Sequence, residues 1–126
     1  MLAICVLVMV GSVAARADTA CDKPRNDFDS LYCLSKIYQQ ADQDLNASYA
    51  RLQGRLNDPE RDALRTGQLA WLRSRDEQCS RREPEGFYVN MACATRTTIS
   101  RNRFLEDRYR ECISSGCLNS RLSEPQ

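Results

Sequence analysis

From Leu34 onward, apolar side chains return at Tyr38, Ala41, Leu45, Tyr49, Leu52 and Leu56, in steps of 4, 3, 4, 4, 3 and 4. At about 100° per residue these positions form one stripe, and the spacing predicts a helix from about Ser30 to Asn57. In the stretch NDPERDAL that follows, Asp58 is placed to cap and Pro59 to stand at the first helical position, so a second helix starts there and runs to about Cys79. Its inward face holds Leu64, Gln68, Trp71, Leu72, Arg75 and Cys79, which puts an amide and a guanidinium on the stripe that should be buried. The segment SRREPEGFYVN carries Pro84 and Gly86 and has no helical period, so a loop of about ten residues is expected. Periodicity resumes with Met91, Ala94, Thr98, Leu105, Tyr109 and Cys112, predicting a third helix to about Glu111. Gly116 then ends the ordered part, and LSEPQ reads as a frayed tail. No alternating strand pattern of useful length and no internal repeat appears. The expected fold is all-α, a small antiparallel three-helix bundle stapled by disulfides, with residues 18–126 as a single helical domain and a short C-terminal tail.

The start of the chain has a different character. An apolar run from Leu2 to about Val10 leads to Ala15-Arg16-Ala17, the small-residue pattern of a secretory signal cleaved after Ala17, although no basic residue precedes the run. A membrane span needs about 20 apolar residues, so an uncleaved anchor is the weaker reading. Lipid attachment does not fit either: Asp18 stands three before Cys21, and Ile4 directly precedes Cys5. The protein is therefore expected to be periplasmic or secreted, with residues 1–17 removed and no stable membrane anchor after cleavage.

Cleavage would remove Cys5 and leave six cysteines: Cys21, Cys33, Cys79, Cys93, Cys112 and Cys117. An even count in a small exported domain implies a disulfide framework, with fifteen pairings open in principle. Cys79 and Cys93 flank the loop between the second and third helices, so a bond between them would clamp it. The same proximity favours Cys21 with Cys33 and Cys112 with Cys117, although either member of the last pair has an alternative in the N-terminal one. The spacer in CISSGC is too long for a C-x-x-C redox site.

The chain has no histidine, which excludes Ser-His and Cys-His dyads and most zinc sites. No catalytic, metal or cofactor residue is assigned. Loss of Arg16 would leave 17 of the 18 basic residues against 17 acidic ones, a balance that argues against nucleic acid or an anionic membrane as partner.

The polar groups on the second helix require partners, because a guanidinium alone in a core costs several kcal/mol. The expected arrangement is an interhelical network of Asp42, Asn46, Gln68, Trp71, Arg75, Asp76 and Arg101, with Gln68 and Arg75 donating and Asp42 accepting. Asp76 is the other carboxylate expected for Arg75. A catalytic reading with Asp42 or Asp76 as general base lacks a nucleophile or a metal constellation. The glycosylation sequon at Asn46 falls in mid-helix and reads as incidental.

Three blocks also carry a resemblance. ADQDLNASY, LRTGQLAWLRSRDEQC and CATRTTISRNRFL resemble the signature blocks of the lysozyme-inhibitor LprI-like domain family of bacterial exported proteins. Asp42, Leu45, Asn46, Tyr49, Gln68, Trp71, Arg75, Asp76, Cys79, Cys93, Arg101 and Leu105 fit the pattern, over roughly residues 33 to 105. The resemblance implies a helical exported domain that binds a protein, with lysozyme as the partner. An envelope or host-facing module with a non-lysozyme partner is the alternative, and an enzyme the least favoured class.

Because the helices are expected to use their polar groups on one another, the residues free for a partner are Arg81, Arg82, Glu83, Glu85, Phe87 and Tyr88 of the loop. Arginines suit the acidic groups of a lysozyme cleft, the glutamates its cationic rim, and the aromatics supply apolar contact. The competing reading is an ordinary solvated loop whose aromatics cap the bundle.

Overall fold

A computed structural model of the chain describes residues 21–126. The leader expected over residues 1–17 lies outside the described residues.

Helix α1 spans Asp27–Gln53. It starts earlier than Ser30 because Asn26 caps it, accepting from the Asp29 backbone N–H at 2.8 Å, and because Asp27 and Asp29 sit in the first turn, where carboxylates offset the helix dipole. Gly54 ends it, before the expected boundary. Leu56, the last residue of the apolar stripe, therefore leaves the helix yet remains buried, sealing the turn.

Helix α2 spans Asp58–Cys79. Its cap is Asn57, not Asp58. Asn57 Oδ1 accepts from the Glu60 N–H at 3.0 Å and the Glu60 carboxylate accepts from the Asn57 N–H at 2.9 Å, a closed capping box, with Pro59 just inside where its missing N–H has no role. Helix α3 spans Met91–Ser114 and is capped by Asn90, which accepts from the Cys93 N–H at 2.9 Å. A single turn, α4, follows over Asn119–Leu122.

The segment expected as a loop is a β-hairpin. Strands β1, Ser80–Glu83, and β2, Gly86–Val89, pair antiparallel with Arg81 opposite Tyr88 and Arg82 opposite Phe87, leaving Pro84 and Glu85 as the turn. Its strands escape the alternation signal because neither face of the ribbon is buried, so no polar and apolar sides had to be separated.

The helices pack up, down and up. Asp44 and Arg51 of α1 line one groove with Asn102 and Glu106 of α3, and the Arg51 guanidinium lies 4.6 Å from the Tyr109 ring centre, so α1 and α3 run in the same direction with α2 returning between their ends. The core is Leu45, Leu52, Leu56, Leu64, Trp71, Phe104, Leu105 and Leu122, with Tyr49, Ala63, Leu72 and Tyr109 packed around it.

The presence of Leu122 in that cluster corrects the expectation of a frayed tail. The chain turns back after α3 at Gly116, whose φ of +98° suits a residue without a side chain. It then lays α4 against α2, so closely that a Cβ on Gly67 would stand 2.8 Å from the carbonyl oxygen of Leu122. Leu122 is 1 % exposed.

Candidate functional site

The hairpin projects from the end of the bundle where α2 stops and α3 begins. Its base is closed twice, by the Cys79–Cys93 disulfide and by a hydrogen bond from the Asn90 N–H to the Cys79 carbonyl at 2.8 Å. Cross-strand pairing sets its surface chemistry. Successive side chains of a strand alternate between faces, so one face carries Arg81 over Tyr88, 5.0 Å to the ring centre, and the other Arg82 over Phe87 at 5.5 Å. Arg81 also donates to Glu83, and Glu85 stands at the exposed turn.

Phe87 is 58 % and Tyr88 43 % exposed, so the aromatics do not cap the bundle. Each is instead half-covered by a guanidinium, an arrangement that keeps an apolar ring soluble while leaving it available. A shallow hollow of about 510 Å³ lies at the hairpin base, lined by Gln78, Ser80, Arg81, Tyr88 and Asn90. Helix α1 begins at the same end of the molecule, and its first turns expose Phe28 and Leu31.

The other two disulfides join Cys21 to Cys33 and Cys112 to Cys117. The first ties the N-terminal segment to α1, and the second closes the turn that leads into α4. All three bonds link the neighbours in sequence that proximity favours.

The buried polar network differs from the expected one. Asp42 accepts from Asn46 Nδ2 at 3.3 Å within α1 and is not the acceptor for Arg75. The physical reason is the packing: α1 lies along α3 and makes little contact with α2. Arg75 instead stacks 5.0 Å from the Trp71 ring centre and reaches the exposed carboxylate of Asp76, with Nε 3.6 Å from Oδ1. Its stem is covered while its charged head reaches the rim, which is how a long cation resolves a position on an inward face. Asn46 is exposed, and Ser48, the third residue of its sequon, is buried.

Arg101 is the cation at the centre, 0 % exposed. Its Nε donates to Gln68 Oε1 at 2.9 Å, so Gln68 accepts where it was expected to donate. Its Nη1 donates to the carbonyls of Glu124 at 2.7 Å and Gln126 at 3.1 Å. The guanidinium lies 4.3 Å from the Phe104 ring centre and 5.9 Å from that of Trp71. Burial pushes its pKa down to about 10, against the opposing pull of Tyr49 and Glu124, so it is charged at neutral pH.

Arg108, also buried, covers Phe104 at 4.9 Å and pairs with Glu111, Nε to Oε2 at 2.8 Å. Glu111 holds Arg121 of α4 as well, at 3.0 Å. The role of Arg108 was missed, yet Arg101, Phe104 and Arg108 recur at steps of 3 and 4 beside Leu105, a helical stripe of arginine and aromatic that the apolar count passed over.

Among the described residues no group of three or more Cys, Asp or Glu is placed to hold a metal ion, and no helix is long and apolar enough to cross a membrane. No curated protein and no solved structure matches the chain. Residues 21–113, which include the hairpin, Gln68, Trp71, Arg75 and Arg101, match the family model described as lysozyme inhibitor LprI. With most of its length matched from the first disulfide to the last turns of α3, the chain belongs to the lysozyme inhibitor LprI family.

Proposed function

We propose that this protein is an exported lysozyme inhibitor that acts by binding, with the β1–β2 hairpin as its contact element. The observation that carries the reading is the hairpin itself: a projecting ribbon held at its base by Cys79–Cys93 that exposes Phe87 and Tyr88, each under an arginine. A pre-ordered element loses little conformational entropy on binding, and aromatic and arginine side chains are the usual anchors of protein interfaces. Lysozymes cleave glycosidic bonds with two carboxyl groups in a cleft, which Arg81 and Arg82 can address while Glu83 and Glu85 meet basic groups at its rim.

Binding without catalysis agrees with the side chains available. The chain lacks histidine, and the two acidic candidates are engaged, Asp42 with Asn46 and Asp76 with Arg75. No cofactor is required. Residues 1–17 supply the export signal in this reading and place the protein in the periplasm or outside the cell.

The test uses immobilised c-type, g-type and i-type lysozymes and a variant in which Arg81 through Tyr88 are replaced by a Gly/Ser segment of equal length, the cysteines kept. The parent should bind and inhibit at least one type, and the variant should lose inhibition with its helicity intact. Equal inhibition by the two proteins would remove the hairpin from the interface. Absence of binding to all three types would point to a non-lysozyme envelope or host partner.

A further inference from the structure

The cleft between α2 and α3 has an occupant seated by one buried leucine and by main-chain contacts. Gly67, Gln68 and Trp71 line it from α2, and Arg101 and Phe104 from α3. The occupant is the chain's own C-terminal segment, Leu122–Gln126. Trp71, Arg101 and Leu105 are buried in the bundle. In the segment, by contrast, Leu122 alone is buried, Ser123 and Glu124 are half-buried, and Pro125 and Gln126 are exposed. The turn that carries it, α4, has no side-chain cap.

The contacts have the form of peptide recognition. One aliphatic side chain fills an apolar hole, and the backbone lies on a glycine where a Cβ would come within 2.8 Å of the Leu122 oxygen. A buried guanidinium then donates to two main-chain carbonyls, those of Glu124 and Gln126, independently of side-chain identity. Arg101 Nη2 has no hydrogen-bond partner among the described residues, so the segment does not exhaust the donors the wall presents. The Glu124 carboxylate accepts from Gln126 Nε2 at 3.3 Å, and the segment meets Arg101 through main-chain oxygens. The family match covers every wall residue and stops at residue 113, before the segment that fills the cleft.

We propose that the α2–α3 cleft is a peptide-binding groove which the C-terminal segment occupies in cis, and that its outside ligand is a protein segment with an aliphatic residue followed two and four places on by main-chain oxygens free to accept from Arg101. Release of the segment opens the groove, and the free chain is self-occluded. The inference stands apart from the hairpin and from lysozyme.

The test is fluorescence anisotropy with a labelled synthetic peptide, LNSRLSEPQ, matching residues 118–126. Full-length Leu122→Asp, which cannot seat its own tail, should bind the peptide at least tenfold more tightly than the parent. Adding Arg101→Gln should weaken that binding at least tenfold, and so should replacing the second leucine of the peptide by alanine. A helical Leu122→Asp protein that binds no peptide overturns the proposal. So does a parent that is a dimer and becomes monomeric on Leu122→Asp, since the groove would then hold a second copy's tail. If Leu122→Asp fails to fold, a specific protease site placed between Leu118 and Asn119 of the parent decides. Nicked protein that exchanges its C-terminal piece for labelled peptide supports the groove, whereas nicked protein that refuses exchange or unfolds on losing the piece overturns it.

Discussion

Arg101 of α3 donates its Nε–H to Gln68 Oε1 of α2 at 2.9 Å, a side-chain hydrogen bond that crosses between these two helices. It joins a fully buried cation to a neutral acceptor, so the guanidinium is held by hydrogen bonds and ring faces more than by an opposite charge.

Gln68→Leu should therefore destabilise the protein by about 2–4 kcal/mol, because it strands a charged donor in the core. Gln68→Glu, which keeps the acceptor and adds a charge, should cost less. Asp42→Ala should lie within about 0.5 kcal/mol of the parent, since Asp42 is bonded only to exposed Asn46. Urea unfolding of the three variants gives the order. A costly Asp42→Ala beside a harmless Gln68→Leu would move the centre of the network back to α1.

Alkaline pH offers a second test of the same cation. Burial lowers the Arg101 pKa from its ordinary value to about 10. As pH rises through 10 the folded protein releases this proton while the unfolded chain still holds it, so the penalty for burying the charge is full at neutral pH and lifts above 10. Relative to Arg101→Met, the parent should gain stability between pH 9 and 11, by about 1.4 kcal/mol, most of it above pH 10. Chemical unfolding of both proteins at several pH values measures the difference. A gap that stays constant would mean Arg101 keeps its ordinary pKa.

Gly67→Ala sets two effects against each other. Alanine favours a helix over glycine by about 1 kcal/mol. Its Cβ would come within 2.8 Å of backbone atoms of Leu122 and Ser123, an overpacking of the kind that costs about 1–3 kcal/mol. The expected outcome is a lower melting temperature together with greater proteolysis after Leu118. A higher melting temperature would show that the tail does not rest on α2.

The Cys79–Cys93 bond closes a separation of 14 residues. Replacing both cysteines by serine should cost up to about 3 kcal/mol in the chain-entropy model. If the hairpin is the contact element, inhibition should fall more than the loss of folded protein explains. Calorimetry and a lysozyme assay at a temperature where the variant is fully folded separate the two effects.

Export should remove residues 1–17, giving a mature N-terminus at Asp18 by mass spectrometry of the exported protein. A mature form that keeps Cys5 would carry an odd cysteine count and contradict the leader reading.

The three long helices are legible in the sequence because a helix's buried stripe is written at local spacing. Leu45, Leu52 and Leu56 are buried as the steps of three and four require, and Asn57, Pro59 and Glu60 announce the second start. The disulfides are legible for a related reason: their members are separated by 12, 14 and 5 residues, so chain connectivity alone brings them near each other. Contacts between distant segments are another matter. Gln68 and Arg101 are 33 residues apart and Arg101 and Glu124 are 23 apart, and whether they meet depends on how each helix is rotated and which helix it packs beside. Periodicity identifies the face that points inward without naming the helix it will face. That is why Asp42 on α1 stood beside Asp76 as an expected partner of Arg75, although α1 lies along α3 and only Asp76 is in reach. The docked tail shows the same limit, since a single leucine in LSEPQ's neighbourhood has no period of its own and becomes core only where α2 offers a glycine to lie against.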